Sequence, residues 1–122
     1  MMEKLTIQEE EAMFAVWKSK GGLVRDIRMF LEDQDLPYTT LASTLKNLQK
    51  KGYLDSTPEG NALHYTPKIS QESYKKNRLS KLVTDHFKNS YKDLVTFFAQ
   101  EEAISKEDLE DIIDMIQQKR SK

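Results

Sequence analysis

The chain has 122 residues, enough for one compact domain or two small ones, and its 38% hydrophobic and 32% charged residues predict a globular protein. It contains no cysteine, which excludes disulfides, thiolate metal sites and cysteine nucleophiles. No apolar run approaches the ~20 residues of a membrane span and no secretory signal opens the chain, so we expect a cytoplasmic protein without membrane insertion. The formal net charge of −1 means that nucleic-acid binding would need locally clustered cations.

The first two predicted helices are amphipathic. Thr6 and Glu9 have the spacing of a capping box, which predicts a helix start, and Gly21-Gly22 is expected to end that helix. The apolar face of this first helix is predicted from Ala12, Met13, Val16 and Trp17. A second helix is predicted over residues 23–33, and its inward-facing residues are Leu23, Ile27, Phe30 and Leu31.

The third predicted helix begins at Tyr38 and is closed by Gly52. Leu41, Leu45 and Leu48 form one apolar stripe, whereas the remaining residues are small near the start, basic near the end and nowhere acidic. Because a major groove is lined by phosphates, which repel carboxylates, this pattern favours a recognition helix that reads DNA. An ordinary amphipathic helix with a solvated lysine end would show the same pattern.

A β-hairpin is predicted next. Tyr53-Leu54 and the segment 63–66 are β-prone, and the residues from Pro58 to Asn61 have turn chemistry. Pro67 is expected to close the second strand. Three helices followed by a hairpin is the layout of a winged helix-turn-helix, which we predict for residues 1–68.

Three further helices are predicted in residues 69–122, each opened by a serine, so the fold class is mainly α. A segment of roughly fifty residues buries too little surface on folding to be stable by itself. Their apolar residues therefore pack either on the first half of the chain or on a second copy, and we expect a three-helix dimerisation region. The residues predicted to form the dimer are Leu82, Phe87, Leu94, Phe97, Phe98, Leu109, Ile112, Ile113 and Ile116.

Catalysis is not indicated. The two histidines, His64 and His86, lie on different predicted elements, and the acidic clusters 9–11 and 101–102 read as solvated helix surface. The sequence has no Gly-rich phosphate loop, nucleophile elbow or HExxH motif. We therefore predict a protein that is not an enzyme and that has no cofactor and no metal site.

Five segments together resemble the penicillinase repressor family: LTIQEEEAMFAVWKSKGG, VRDI, YTTLASTLKNLQKKGYL, HYTP and DHFKNSYKDLVTFF. The resemblance extends over nearly the whole chain. It implies a homodimer that binds a pseudo-palindromic double-stranded DNA operator and represses resistance or stress genes. In the lactam-responsive branch, a membrane sensor peptidase system triggers cleavage of the repressor within the dimerisation region.

The sequence departs from the family pattern at several positions. Members often carry a basic residue where Ala42 stands and an arginine where Asn47 stands, which bears on the operator sequence and on phosphate affinity. The family's Asn-Phe cleavage site aligns with Phe97-Phe98, where the phenylalanine matches and the asparagine does not. The absence of cysteine excludes copper sensing through a cysteine-rich site.

We therefore predict a homodimeric transcriptional repressor. Small residues at the start of the third helix are expected to face bases, lysines near its end to hold phosphates, and the hairpin to reach the DNA backbone. The alternative is a winged helix that has become a protein-interaction module without DNA binding. The residues predicted to contact DNA are Tyr38, Thr39, Thr40, Ala42, Ser43, Lys46, Asn47, Lys50, Lys51, Asn61 and His64.

Overall fold

The computed structural model describes residues 3–120, and within that range it contains six helices and one hairpin. The elements are α1 (Ile7–Ser19), α2 (Val24–Arg28), α3 (Tyr38–Lys50), β1 (Leu54–Glu59), β2 (Ala62–Pro67), α4 (Gln71–His86), α5 (Tyr91–Gln100) and α6 (Lys106–Arg120). None of the helices in this range is long and apolar enough to cross a membrane.

The chain divides into two compact units, Met1–Lys75 and Lys76–Lys122. The first unit runs past the hairpin into the beginning of α4, later than the boundary expected at residue 68. Tyr74 explains the difference, because its buried ring packs 5.4 Å from the ring of Trp17 and 6.1 Å from that of Tyr53. The indole Nε1 of Trp17 also donates a 2.9 Å hydrogen bond to the carbonyl of Ile69.

The predicted boundaries of α1 are confirmed. The amide of Glu9 donates to Oγ1 of Thr6 at 3.1 Å, and the amide of Thr6 donates to Oε1 of Glu9 at 2.8 Å, which completes the capping box. At the other end Lys20 takes a left-handed conformation with φ 63°, and the amide of Gly21 donates to the carbonyl of Val16 at 3.0 Å. The helix therefore stops where the glycine pair was expected to stop it.

One hydrophobic core joins α1, α2, α3 and the hairpin. The predicted inward residues of α1 lie in or against it, and the leucine stripe of α3 is completely buried. Its largest fully buried side chains are Tyr53, Tyr65, Met13, Ile27, Leu41, Leu45, Leu48, Leu54 and Val16.

The predicted length of α2 is wrong. The helix ends at Arg28 instead of continuing to Asp33, and Phe30, predicted to face inward, is 45% exposed. The physical reason lies in the polar residues that follow, since the side-chain amide of Gln34 donates to the carbonyls of Arg28 and Leu31, and the Asp33 carboxylate accepts a 3.0 Å hydrogen bond from the amide of Asp35. Such local side-chain bonds favour a turn over a continued helix.

The hairpin is present, with longer strands than predicted. β1 and β2 pair antiparallel from Leu54 opposite Pro67 to Glu59 opposite Ala62, so only residues 60 and 61 form the connection. The prediction that the turn begins at Pro58 is therefore wrong, because this residue lies within β1. Both strands of a two-stranded sheet are edge strands. Proline is tolerated in an edge strand because a backbone nitrogen that faces away from the partner strand donates no hydrogen bond within the sheet.

The three predicted serine caps are confirmed. Ser70, Ser90 and Ser105 each accept a hydrogen bond through Oγ from the amide three residues later. The donors are the amides of Ser73, Asp93 and Asp108, at 3.1, 3.1 and 3.0 Å. Each of the last three helices thus begins at the residue that the sequence predicts.

Candidate nucleic-acid interface

The helix α3 is held by one face. Leu41, Leu45 and Leu48 are each 0% exposed, and they anchor the helix in the core. Thr44 lies on the same face, where its Oγ1 donates a 2.8 Å hydrogen bond to the carbonyl of Thr40 and so leaves no buried hydroxyl without a partner. The anchored face fixes which side chains the helix presents to solvent.

The opposite face carries a polar stripe. Thr39, Ser43, Lys46 and Lys50 are spaced i, i+4, i+7 and i+11, and all four are exposed. We call these four residues the α3 stripe. Asn47 is exposed beside it. The helix contains no carboxylate, so the stripe changes from hydroxyl to ammonium along its length without any negative charge.

The first turn of α3 favours negative ligands. Its N-cap is Pro37, which provides no side-chain acceptor for the first amides, and the turn contains no acid. Tyr38 is 51% exposed there, and Thr40 is half-buried. Unsatisfied amides at the positive end of the helix dipole attract phosphate oxygens.

Ala42 occupies the edge between the two faces of α3. It is half-buried and packs against the hydrophobic core. Its methyl group adds little bulk, so a groove surface could approach the backbone of the helix closely at this point.

A polar network sets the segment that leads into α3. The guanidinium of Arg28 donates to the carbonyls of Leu36 at 3.3 Å and Gln34 at 3.1 Å, and the amide group of Gln34 donates back to the carbonyl of Arg28 at 3.1 Å. Gln34 also donates to the carbonyl of Leu31 at 2.5 Å. Sequence reasoning missed this role, because an arginine and a glutamine six residues apart in a loop carry no recognisable spacing.

The wing, which we define as β1, β2 and their connection, is tied to the end of α1. The amide of Gly22 donates to the carbonyl of Tyr65 at 2.9 Å, and the amide of Tyr65 donates back at 2.8 Å. Burial raises the pKa of the Tyr65 hydroxyl above its ordinary value, and the neighbouring Tyr38 adds to the shift. A pair of backbone hydrogen bonds at Tyr65 therefore fixes the wing to the end of α1.

The wing tip is polar but not uniformly cationic. Asn61 is exposed in the connection, as predicted, and His64 is half-buried in β2. Nδ1 of His64 lies 3.8 Å from Oε1 of Glu59. At the base of the wing, Nζ of Lys68 lies 3.9 Å from Oδ1 of Asp55. The predicted contacts of Asn61 and His64 with the DNA backbone stay predictions, and the carboxylate of Glu59 beside His64 would repel a phosphate there.

Lys51 is placed differently from the other lysines of this region. Its Nζ donates to Oε1 of Glu9 at 2.6 Å and to the carbonyl of Lys4 at 3.1 Å, and its side chain is 21% exposed. Burial alone would raise the pKa of Glu9, but hydrogen bonds from Lys51 and Thr6 outweigh burial and hold that pKa below its ordinary value. The ammonium of Lys51 is thus engaged within the protein, whereas those of Lys46 and Lys50 belong to exposed side chains.

The residues predicted to form a dimer lie in the second unit. Val83 is fully buried there, and the ring of Phe97 lies 5.9 Å from that of Phe87 and 5.7 Å from that of Phe98. Phe87, Leu94 and Leu109 are half-buried. The remaining predicted residues are 41–52% exposed: Leu82, Phe97, Phe98, Ile112, Ile113 and Ile116. The structure therefore leaves a large apolar surface of this unit uncovered within one chain.

The first unit contains three helices and a wing that is hydrogen-bonded to the end of α1, and its α3 has an acid-free polar face. This arrangement defines a winged helix-turn-helix protein. A sequence model of the penicillinase repressor family matches residues 5–118, and the chain belongs to that family. Its members are DNA-binding transcriptional repressors and not enzymes. The chain is similar to the "Methicillin resistance regulatory protein MecI" of Staphylococcus aureus (strain N315) and of Staphylococcus epidermidis, with 20% identity over 120 residues and 95% coverage of both chains in each comparison.

Proposed function

We propose that this repressor acts as a homodimer on a pseudo-palindromic operator that controls resistance or stress genes. The observation that carries the proposal is the α3 stripe, which is exposed, free of acid and directed by a fully buried opposite face. A groove walled by phosphates accepts such a helix and repels one that carries carboxylates.

The proposed contacts follow the position of each residue along α3. Thr39, Thr40, Ala42 and Ser43 face base edges in the first half of the helix, where small side chains permit close approach. Lys46, Asn47 and Lys50 bind phosphates in the second half, and Tyr38 with the first-turn amides binds another. Asn61 and His64 extend the footprint from the wing.

Lys51 is assigned a different role in this proposal. It was predicted to hold a phosphate, but its ammonium lies 2.6 Å from the Glu9 carboxylate. A phosphate contact would require that ion pair to break. We therefore assign Lys51 to fixing the end of α3 against α1, and the phosphate contacts made by lysines of this helix are those of Lys46 and Lys50.

The dimer is proposed from the uncovered apolar surface of α5 and α6. Phe97 and Phe98 in α5, and Ile112, Ile113 and Ile116 in α6, expose 41–52% of their surface. A two-fold axis would bury each copy of this surface against the other, and isologous dimers are the commonest assemblies. The two α3 helices would then read half-sites about one helical turn apart, ~34–36 Å between centres.

The regulation is proposed from the relatives. The MecI proteins are named as regulators of methicillin resistance, and we extend to this chain the expectation of resistance genes as targets. Relief of repression would follow from a membrane sensor peptidase system and cleavage near Phe97-Phe98. The asparagine of the family's cleavage pair is replaced by Phe97 here, so the proposed cleavage tolerates an aromatic residue at that position.

Selection from random duplexes by the purified chain, followed by salt titration on the selected sequence, tests the proposal. The logarithm of the association constant should fall linearly with the logarithm of salt concentration, and Lys46→Gln with Lys50→Gln should reduce the slope by about 0.9 for each phosphate contact removed. Lys106→Gln, at an exposed lysine of α6, is the matched control and should leave the slope unchanged. No duplex binding at about 50 mM salt would favour the protein-interaction module instead.

A further inference from the structure

A cleft of about 430 Å³ opens in the first unit, between α1 and the segment that joins α2 to α3. Phe14 and Phe30 line it and are 37% and 45% exposed, and Ala15 and Leu31 lie buried behind them. Clefts that bind small molecules have volumes of roughly 300–1,000 Å³ and mostly apolar walls with a few polar groups. The cleft has the size and lining of a small-molecule site.

The rim of the cleft is negatively charged. Lys18 is the one cationic side chain among the lining residues, against four carboxylates. Two of the carboxylates are held in place, because the hydroxyl of Tyr74 donates to Glu10 and the amide of Asp35 donates to Asp33. Those of Glu11 and Glu32 lie at exposed positions. The combination of aromatic walls and excess negative charge selects a ligand by charge as well as by shape.

We infer that this cleft binds an amphiphilic organic cation, a molecule with one positive charge and aromatic or aliphatic bulk. The faces of Phe14 and Phe30 attract a cation through the ring quadrupole and cover its apolar groups. The carboxylates attract the charge from the rim. The same groups repel an anion of the same shape, so charge complementarity favours a cation over an anion in this cleft.

The cleft adjoins the segment that positions α3. Leu36 lines it and directly precedes Pro37, the N-cap of α3. The carbonyl of Leu36 also accepts the 3.3 Å hydrogen bond from Arg28. A bound cation would contact this segment. Cation binding itself does not depend on the proposed operator or on dimerisation.

The experiment uses two ions of equal shape and opposite charge, tetraphenylphosphonium and tetraphenylborate, added to the full chain without DNA. Trp17, the single tryptophan, lies 5.9 Å from the ring of Phe14, so its fluorescence reports on the cleft. Calorimetry gives the stoichiometry independently. We expect saturable binding of one tetraphenylphosphonium per chain and at least tenfold weaker binding of tetraphenylborate.

Three variants locate the site. Glu11→Gln with Glu32→Gln should weaken tetraphenylphosphonium binding roughly five- to tenfold, since each carboxylate is partly solvated. Lys18→Gln should strengthen it roughly twofold, because it removes the opposing charge. Glu101→Gln with Glu102→Gln makes the same change in net charge in the second unit and should leave the affinity unchanged. Thermal melts of all the variants should match, because these side chains are exposed.

Several results would overturn the inference. Absence of saturable tetraphenylphosphonium binding below about 1 mM is one, and equal affinity for the two ions is another. An equal effect of the two double variants would place the binding outside the cleft. If Phe30→Glu changes the oligomeric state while tetraphenylphosphonium does not bind, the cleft is an interface between copies, and the inference is wrong.

Discussion

Oε1 of Glu9 lies 2.6 Å from Nζ of Lys51, which joins the beginning of α1 to the residue that follows α3. The same ammonium donates to the carbonyl of Lys4 at 3.1 Å, and the hydroxyl of Tyr53 donates to the carbonyl of Glu3 at 2.6 Å. The segment before α1 is therefore bound to the end of α3. A helix that presents the proposed reading surface is fixed at both ends, by the Arg28 network before it and by Lys51 after it.

Lys51→Met should lower the free energy of unfolding by about 2–3 kcal/mol, because it leaves the buried Glu9 carboxylate without its cation. The value is below that of a fully buried pair, since the Lys51 side chain is 21% exposed. Urea denaturation measures the change. Lys50→Met makes the same replacement at the preceding exposed residue and should stay within about 0.5 kcal/mol of the parent. Equal effects at the two positions would show that the ion pair contributes nothing.

Glu9 should also make stability depend on pH in the acid range. Its pKa in the folded protein lies below the ordinary value of 4.5. The stabilisation is therefore fully present above about pH 4.5 and is lost as the pH falls through the folded pKa. Glu9→Gln cannot titrate, so the stability gap between parent and variant should narrow as the pH falls. Urea unfolding at several pH values below neutrality measures the gap, and a constant gap would contradict the lowered pKa.

Gly21→Ala should disrupt the attachment of the wing. A Cβ at this position would lie 2.5 Å from the carbonyl oxygen of Tyr65, and φ is +91°. Backbone strain and overpacking together should cost about 2–4 kcal/mol of unfolding free energy. Gly60→Ala is the matched control, because it also has a positive φ, +63°, but no atom within 4 Å of its Cβ. Thermal unfolding measures the loss of stability in both variants. Similar losses would mean that the positive φ alone, and not the contact with Tyr65, destabilises Gly21→Ala.

The elements that the sequence predicts well are those whose signals are local. The capping box at Thr6 and the serine caps such as Ser90 involve residues three positions apart, so the spacing alone identifies them. The end of α2 was missed because it depends on competing side-chain bonds from Gln34 and Asp33, which the helical periodicity does not reveal. The turn at Pro58 was misplaced because proline favours turns in general and is tolerated in edge strands as well.

In the candidate site too, the sequence predicts the features that depend on local spacing and misses those that depend on tertiary packing. The exposure of Ser43 and Lys46 follows from the leucine stripe by helical geometry alone, so the sequence predicts it. Lys51 continues the lysine pattern in the sequence, yet its partner Glu9 is 42 positions away. No rule of spacing finds such a pair, since only the packing of α1 against α3 brings the two residues together.

Ser43→Ala and Lys46→Gln should affect operator binding in different ways. If Ser43 meets a base edge, its variant should lose about 1–3 kcal/mol of discrimination at one base pair of each half-site. Lys46→Gln should weaken binding to all sequences alike and should reduce the salt slope by about 0.9. Binding to a panel of single-base operator variants distinguishes the two outcomes. If Ser43→Ala weakens binding to all operator variants equally, Ser43 contacts the DNA backbone and not a base.

Phe98→Glu should convert the proposed dimer into a monomer. The side chain is 41% exposed in α5, and burying a carboxylate against a second copy would be strongly unfavourable. Lys92→Glu changes the charge of the same helix at an exposed polar position and should leave the dimer intact. Sedimentation velocity measures both. A parent chain that sediments as a monomer, or a Phe98→Glu variant that remains dimeric, would remove this face from the interface.

The bond between Phe97 and Phe98 lies inside α5, which begins at the cap where Oγ of Ser90 accepts the amide of Asp93 at 3.1 Å. A protease that needs an extended substrate can cut there only after the helix has opened, so the opening equilibrium gates the rate of cleavage. Removal of the Ser90 hydroxyl would shift that equilibrium by about 1 kcal/mol, a severalfold change in population. If the proposed cleavage takes place at this bond, the lifetime of the repressor therefore depends on Ser90, seven positions before Phe97.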